Sequence, residues 1–209
     1  DILAPYPPLK LVGNTFNPPS LNFYLGTDDM GRDIYSMIIY GSRTSLIIGI
    51  TAAIFTTLLG TIIGIFSGVF RGILDTLLMR SIDFLLSLPY LVVALVLVAF
   101  LQPNIGIIIL IIVILSWIPT AKVVRSKALS IMESGFVEAA ISIGASRIHI
   151  ALKHVLPSTL PIIISSLILS IRDAILFEST LSFLGFGDPT YISWGTILFL
   201  SLIHISEPT

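Results

Sequence analysis

Two long stretches without a charged side chain constrain the fold of this chain more than any other feature. Residues 44–70 and 84–121 contain no Asp, Glu, Lys or Arg. A helix needs about 20 apolar residues to cross the hydrocarbon core of a bilayer. Since hydrophobic residues make up 55% of the chain and charged residues only 11%, the sequence predicts an all-α, polytopic transmembrane helical bundle.

Turn residues divide the second stretch into two spans. Residues 84–121 are too long for one span, and Gln102-Pro103-Asn104 is typical of a turn. Pro89 is predicted to kink the span before this turn, and Pro119 the span after it. The predicted spans are 44–70, 84–101, 105–121, 161–181 and an apolar run to residue 203 that is too short for a full span.

The domain boundaries follow from these spans. Residues 1–43 are predicted to form an exported loop with a short interfacial helix, and residues 44–203 the transmembrane domain. Residues 204–209 are predicted to be an atypical tail, and we expect truncation or a sequence-assembly artefact there. Within the first span, Gly60, Gly64 and Gly68 recur every four residues, which predicts close approach of another helix.

Basic residues fix the sidedness of the loops. Most of them lie in two linkers, 71–83 and 122–158, which must be on the same side of the membrane. Cytoplasmic loops carry an excess of Lys and Arg, so these linkers are predicted to be cytoplasmic and residues 1–43 exported. An exported start requires an earlier span, and we therefore expect the chain to be N-terminally incomplete.

The linker 122–158 contains a structured polar segment at residues 136–157. Gly144 can take the left-handed conformation that ends a helix, Ser146 can cap a second helix, and Pro157 is predicted to end it. Arg147 on this second helix is expected to face water or lipid headgroups. The pattern predicts a helix-turn-helix, which on these grounds is either a docking surface for a soluble protein or a plain interfacial loop.

The order of residues in this segment resembles a family motif. Glu138-Ala139-Ala140, three residues, Gly144, nine residues and then His154-Val155-Leu156-Pro157 resemble the EAA loop of the membrane subunits of ATP-binding-cassette (ABC) importers. His154 departs from the general pattern, which has isoleucine there. The dipeptide, oligopeptide and nickel branch of the family often has histidine at this position.

Two further stretches resemble the same branch and match its second, C-type permease subunit. One runs from Leu25 to Asp33 and continues through Gly41-Ser42-Arg43, and the other runs from Glu178 to Gly187. The resemblance implies a MetI-like, type I importer permease fold with about five of six spans. It also implies a bacterial or archaeal cytoplasmic membrane as the location.

The resemblance implies a mechanism and a set of partners. A second permease subunit would complete the pathway, an exported solute-binding protein would deliver peptides, and two cytosolic ATPase subunits would bind ATP and Mg²⁺. Nickel chelates are the alternative cargo. Glu138 is expected to form a local hydrogen bond or ion pair. The residues implied in coupling to the ATPase are Glu138, Ala139, Ala140, Gly144, Ala145, His154, Leu156 and Pro157.

Enzymatic, metal and nucleic-acid functions are not expected. The sequence has no phosphate-binding loop ending in Gly-Lys-Ser/Thr and no cysteine, and its basic residues form no dense patch. We therefore expect a transport subunit that binds no cofactor or metal itself. Membrane lipid and the partner proteins are the expected contacts.

Charged residues outside the polar segment are the remaining candidates. Arg172 and Asp173 are adjacent on a predicted helix, so they are expected to point in different directions and not to pair. With Glu178 they are candidates for the pathway or its outer mouth. An ion-coupled secondary transporter using Asp173 and Glu178 is the second hypothesis. Candidates for contact with the binding protein, or for helix capping, are Asp28, Asp29, Arg32 and Asp33.

Overall fold

The computed structural model describes residues 4–188 and 190–206, with side chains up to residue 201. Of the predicted tail, residues 207–209 lie outside the described residues. Apart from an isolated β-bridge between Thr27 and Asp33, the regular secondary structure of the described residues is helical, which confirms the all-α prediction. The helices are α1 (Ile34–Phe70), α2 (Gly72–Ser87), α3 (Tyr90–Leu101), α4 (Ile105–Ser116), α5 (Ile118–Met132), α6 (Gly135–Ser142), α7 (Arg147–Ile150), α8 (Leu156–Leu181) and α9 (Trp194–Ser206), with π-helical turns at Ala151–Val155 and Ser182–Phe186.

Helix α1 is the longest helix of the described chain, with 37 residues. It begins at Asp33, whose carboxylate accepts hydrogen bonds from the Ser36 backbone N–H at 3.0 Å and from Ser36 Oγ at 2.6 Å. It then continues without a break through the predicted boundary at residue 43. The prediction of a separate interfacial helix is therefore wrong, because no proline or left-handed residue interrupts the chain between Ile34 and Phe70.

The glycine stripe of α1 packs against α5, as predicted. A Cβ atom built on Gly60 would lie 2.8 Å from Thr120 Cβ, one on Gly64 would lie 2.7 Å from the Ala121 carbonyl oxygen, and one on Gly68 would lie 2.6 Å from Ala128 Cβ. Such distances leave no room for a side chain. The small residues therefore allow the two helices to approach closely.

The predicted turn at residues 102–104 is confirmed, since it separates α3 from α4. The helices on both sides of this turn are bent: before it, α2 and α3 meet at 83°, and after it, α4 and α5 meet at 41°. The larger bend lies at Leu88, whose extended backbone (φ −84°, ψ 140°) is the conformation that Pro89 imposes on the residue before it. Pro119 lies in the first turn of α5, where its missing N–H costs no hydrogen bond.

Pro157 does not end the second helix of the polar segment, contrary to the prediction. The helix from Arg147 continues to Phe186 over 40 residues. The π-helical turn at Ala151–Val155 comes just before Pro157, which lies in the first turn of α8. The missing proline N–H and its bulky ring are tolerated at such a position.

By length and composition, two helical stretches of the described chain can each cross a membrane: α1 and Arg147–Phe186. The number of spans rises to four if each bent pair counts as one. The apolar run to residue 203 forms α9, whose 13 residues are fewer than a full span needs. A membrane-spanning helical bundle is therefore the architecture of the chain.

Candidate functional site

The polar segment folds as the predicted helix-turn-helix. Residues 135–157 are called the coupling segment below, after the role that the sequence resemblance implies for them. Helix α6 ends at a turn in which Gly144 has φ +92°, a backbone conformation that favours glycine. Ser146 Oγ accepts a hydrogen bond from the His149 backbone N–H at 3.2 Å and begins α7. The predicted roles of Gly144 and Ser146 in shaping the turn are confirmed.

A small apolar core attaches the coupling segment to the ends of two membrane helices. Val137, Ile150 and Val155 are fully buried. They belong to one cluster with Val69 at the end of α1 and Ala128 on α5. The segment therefore packs onto the same helix pair that the glycine stripe holds together, so a force on the segment can reach both helices.

Arg147 adds a polar contact to this attachment. Its Nη1 donates to the Phe70 carbonyl oxygen at 2.6 Å and lies 3.5 Å from that of Val69. Arg147 is exposed, as predicted. It also binds the last carbonyls of α1, which lack partners within the helix and carry its negative dipole end.

Outward from this core, the coupling segment exposes large apolar side chains. Glu138 and Ala139 are exposed on α6 and Ala140 is half-buried. The expected local ion pair of Glu138 is not present: among the described residues its carboxylate has no ion-pair or hydrogen-bond partner. The exposed apolar residues, with their exposed fractions, are Phe136 (55%), Ile141 (47%), Ile143 (88%), Ile148 (62%) and Leu152 (63%).

The other residues implied in coupling lie around the turn and at the start of α8. Ala145, His154 and Leu156 are half-buried and Pro157 is exposed. The His154 ring lies 5.7 Å from the Phe136 ring, measured between centroids. His154 therefore packs between the two helices of the segment rather than extending away from it.

A cavity of about 630 Å³ lies between α8 and helices α1 to α5. Arg172 and Asp173 both line it. They form an ion pair, with Arg172 Nε 2.8 Å and Nη2 2.7 Å from Asp173 Oδ1. The prediction that they cannot pair is wrong, because the long arginine side chain turns back to its neighbour whatever the backbone directions. The side chains on the wall that carry a hydroxyl are Thr56, Tyr90, Ser116, Thr120, Ser166, Ser170 and Thr180.

Glu178 lies apart from this cavity and is only 1% exposed. Its carboxylate accepts hydrogen bonds from Ser182 Oγ at 2.7 Å and Ser45 Oγ at 3.3 Å. Ser45 Oγ in turn accepts one from the Trp194 backbone N–H at 3.1 Å. Glu178 therefore joins α8 to α1 and to the start of α9. Asp173 and Glu178 lie in different surroundings and do not form one site.

The charged residues just before α1, in the loop predicted to be exported, are paired with one another. Arg32 Nε lies 2.6 Å from Asp28 Oδ2, and Arg32 Nη2 lies 3.7 Å from Asp29 Oδ1. Arg32 is 9% and Asp33 3% exposed. The helix-capping interpretation is confirmed for Asp33, and the Arg32 ion pairs hold the loop that precedes α1.

Sequence reasoning missed two contacts between distant residues. One is the Arg147 contact. In the other, Asp75 on α2 forms a bidentate ion pair with Arg125 on α5: Nε donates to Oδ1 at 2.6 Å and Nη2 to Oδ2 at 2.7 Å. Ser67 Oγ on α1 also donates to Asp75. The sequence signal for these contacts is that Asp75, Arg125 and Arg147 lie in the two linkers predicted to be on the same side of the membrane.

We expect Arg147→Ala to loosen the coupling segment without unfolding the chain. The substitution removes a cation from the end of α1, an interaction worth about 0.5–1 kcal/mol at an exposed site. Backbone amide hydrogen exchange at residues 147–150 should become roughly two- to fivefold faster.

The control for this change is Arg80→Ala. Arg80 is also exposed and in a basic linker, and it makes no hydrogen bond or ion pair among the described residues. Its removal should leave exchange in the coupling segment unchanged. Equal exchange rates in both variants would show that Arg147 does not anchor the segment.

Comparison with known proteins identifies the family. Residues 60–199 match the family described as "binding-protein-dependent transport system inner membrane component". The chain is 38% identical over 181 residues to the dipeptide transport system permease protein DppC of Bacillus subtilis, an alignment covering 86% of this chain. It is 36% identical over 185 residues to the oligopeptide transport system permease protein OppC of the same organism, covering 88% of this chain.

The chain spans 57% of the length of the first relative and 61% of the second. The family match covers most of the residues that form α1 to α9. It includes both the coupling segment and the cavity-lining helix α8. The chain therefore belongs to the binding-protein-dependent transport system inner membrane components, a family of MetI-like permeases that are transport subunits rather than enzymes.

Proposed function

We infer that the chain is a permease subunit of an ABC importer that takes up peptides, and that its coupling segment docks onto a cytosolic ATPase subunit. The names of the two Bacillus relatives, which refer to dipeptides and oligopeptides, support peptides as the cargo. The cavity beside α8 would be this subunit's part of the pathway, completed by a second permease subunit. An exported solute-binding protein would deliver the peptide to it.

The surface of the coupling segment is the observation that carries the docking proposal. It combines large exposed apolar side chains, of which Ile143 is 88% exposed, with a carboxylate at Glu138 that has no partner among the described residues. Exposed apolar groups rimmed by polar ones are typical of protein interaction sites. A soluble partner that covers this surface would bury Ile143 and give Glu138 a donor.

The attachment of the segment explains how docking could act on the pathway. The buried contacts of Val137 and Ile150 with α1 and α5 make the segment part of a packed unit. The same two helices contribute Thr56 and Thr120 to the wall of the cavity. When the ATPase subunits close on ATP and Mg²⁺, a displaced coupling segment would therefore move the cavity wall.

We expect Ile143→Asp to abolish co-purification of the ATPase subunit and peptide uptake while the chain stays in the membrane. A charge placed in an apolar docking contact is desolvated without a partner, which costs several kcal/mol. Glu138→Lys should weaken the same association by reversing the exposed charge. The measurement is the amount of ATPase recovered with the affinity-tagged permease complex in detergent, together with radiolabelled peptide uptake.

Leu21→Asp provides a matched control on the opposite side. Leu21 is 92% exposed and lies in the loop predicted to be exported. The same substitution there should leave ATPase recovery normal. Full ATPase recovery and normal uptake in the Ile143 and Glu138 variants would disprove the docking role of the segment.

A further inference from the structure

We propose that Arg172 and Asp173 together form a contact for a ligand that carries one positive and one negative charge, such as the free termini of a short peptide. The inference rests on the proposed function, because it assigns the cavity a peptide cargo. It adds which part of the peptide the cavity contacts: the charged ends and the backbone, rather than particular side chains.

The position of the pair calls for a polar environment. Arg172 and Asp173 lie within α8 among apolar residues, yet their side chains are 63% and 55% exposed. An ionised side chain facing lipid at the middle of a span costs about 2.5–3.5 kcal/mol even on the most permissive scales. Both residues line the cavity instead, so their exposed surface faces space that water or a ligand can fill.

The pair leaves one atom of each sign available. Arg172 Nε and Nη2 both lie close to the same oxygen, Asp173 Oδ1. Among the described residues, neither Arg172 Nη1 nor Asp173 Oδ2 has a hydrogen-bond partner. Nη1 can therefore donate to a ligand carboxylate, and Oδ2 can accept from a ligand ammonium, without breaking the existing pair.

The opposite charges of Arg172 and Asp173 determine which class of ligand the pair attracts most. A ligand with a single charge is attracted to one member of the pair and repelled by the other, so its net electrostatic gain is small. A ligand with an ammonium and a carboxylate can place each group beside its opposite. A peptide with free termini has both groups whatever its sequence.

The remaining lining fits a peptide backbone. Ser166 and Ser170 on α8 supply hydroxyl groups that can donate to or accept from amides. Thr180, about two turns beyond the pair, donates to the Leu176 carbonyl and can accept from an amide N–H. Tyr90 and Trp117 on other walls supply apolar surface for side chains of varied shape. The volume of about 630 Å³ falls within the usual range of small-ligand pockets, about 300–1,000 Å³.

A unique thiol allows the cavity to be tested directly. The chain contains no cysteine, so Ser170→Cys places one reactive group on the cavity wall, three residues before Asp173. The complete importer complex carrying this variant is treated with a maleimide, and labelling is followed on this chain alone. The probes are dialanine, which has free termini, and N-acetyl-dialanine amide, which has the same backbone and no charge.

We expect dialanine to slow the labelling roughly fivefold at a concentration several times its dissociation constant, and the uncharged peptide to have no effect. In the background of Arg172→Gln with Asp173→Asn, protection by dialanine should be lost, while the unprotected labelling rate and the recovery of the ATPase subunit stay normal. Equal protection by both peptides, or protection that survives the double substitution, would overturn the inference.

Peptide uptake separates this inference from the proposed function. If the unaltered complex takes up no peptide, the proposed peptide cargo is wrong whatever the labelling shows. If it takes up peptide and the double variant does so at an unchanged rate, the pair is not a contact on the route and only the present inference fails. A tenfold or larger fall in uptake, with normal ATP hydrolysis, supports the pair as the contact.

Discussion

Replacing Gly64 with leucine is expected to remove most of the folded chain from the membrane. A Cβ atom at this position would lie 2.7 Å from the Ala121 carbonyl oxygen and 2.9 Å from Val124 Cβ. A backbone carbonyl cannot rotate away as a flexible side chain can, so α1 and α5 must separate. The cost is about 3 kcal/mol or more, and it falls on the helix pair that also holds the coupling segment.

Gly135→Leu tests whether the crowding at Gly64 causes this effect. Gly135 has no left-handed backbone angle, and a Cβ atom added there would have no neighbouring atom within 4 Å. Leucine at this position should therefore change the unfolding free energy by about 0.5 kcal/mol or less. The measurement is the fraction of each variant that stays monodisperse after heating in detergent. Similar heat resistance of the two variants would contradict the close packing of α1 on α5.

The elements that the sequence predicts correctly depend on local patterns. The turn at residues 102–104 is marked by Pro and Asn, the left-handed turn by Gly144, and the helix contact by glycines four residues apart. In each case a residue type has a conformational or steric property that few others share. Such signals can be interpreted without knowing what lies nearby in space.

The predictions that fail, and the contacts that the sequence misses, concern whether a helix continues and where side chains lie. Pro157 is predicted to end a helix, but a π-helical turn just before it allows the helix to continue. Arg147 bonds to Phe70, 77 residues away in sequence, and no local pattern indicates that partner. The pairing of Arg172 with Asp173 depends on side-chain torsions, which the order of residues does not determine.

Glu178 is a second case in which the sequence does not indicate where a side chain lies. A carboxylate in a membrane helix is a functional candidate by default, which makes Glu178 a candidate for the pathway. The structure buries it against Ser45 on α1 and Ser182, contacts that only the packed helices reveal. These contacts join the C-terminal end of α8 to its neighbours.

Glu178→Ala is accordingly expected to destabilise the packing at the C-terminal end of α8. Glu178 is 1% exposed, and the substitution leaves a void and removes the acceptor of the Ser45, Ser182 and Ser179 hydroxyls. Buried hydroxyls without partners cost about 1–3 kcal/mol each, so the total loss should be about 3 kcal/mol. Because Ser45 also bonds to the Trp194 N–H, amide hydrogen exchange should rise most at the start of α9.

Two further variants test whether the lost hydrogen bonds of Glu178, rather than a change at this part of α8, cause the expected loss of stability. Glu178→Gln keeps the shape and one carbonyl acceptor, so we expect it to retain most of the stability, within about 1 kcal/mol. Thr180→Ala, two residues further along α8, removes only a hydroxyl that bonds back to the Leu176 carbonyl and should leave exchange at Trp194 unchanged. Amide hydrogen exchange at Trp194 that is as slow in Glu178→Ala as in Thr180→Ala would contradict this explanation. The hydrogen bonds from Trp194 through Ser45 to Glu178 would then not join α9 to α1.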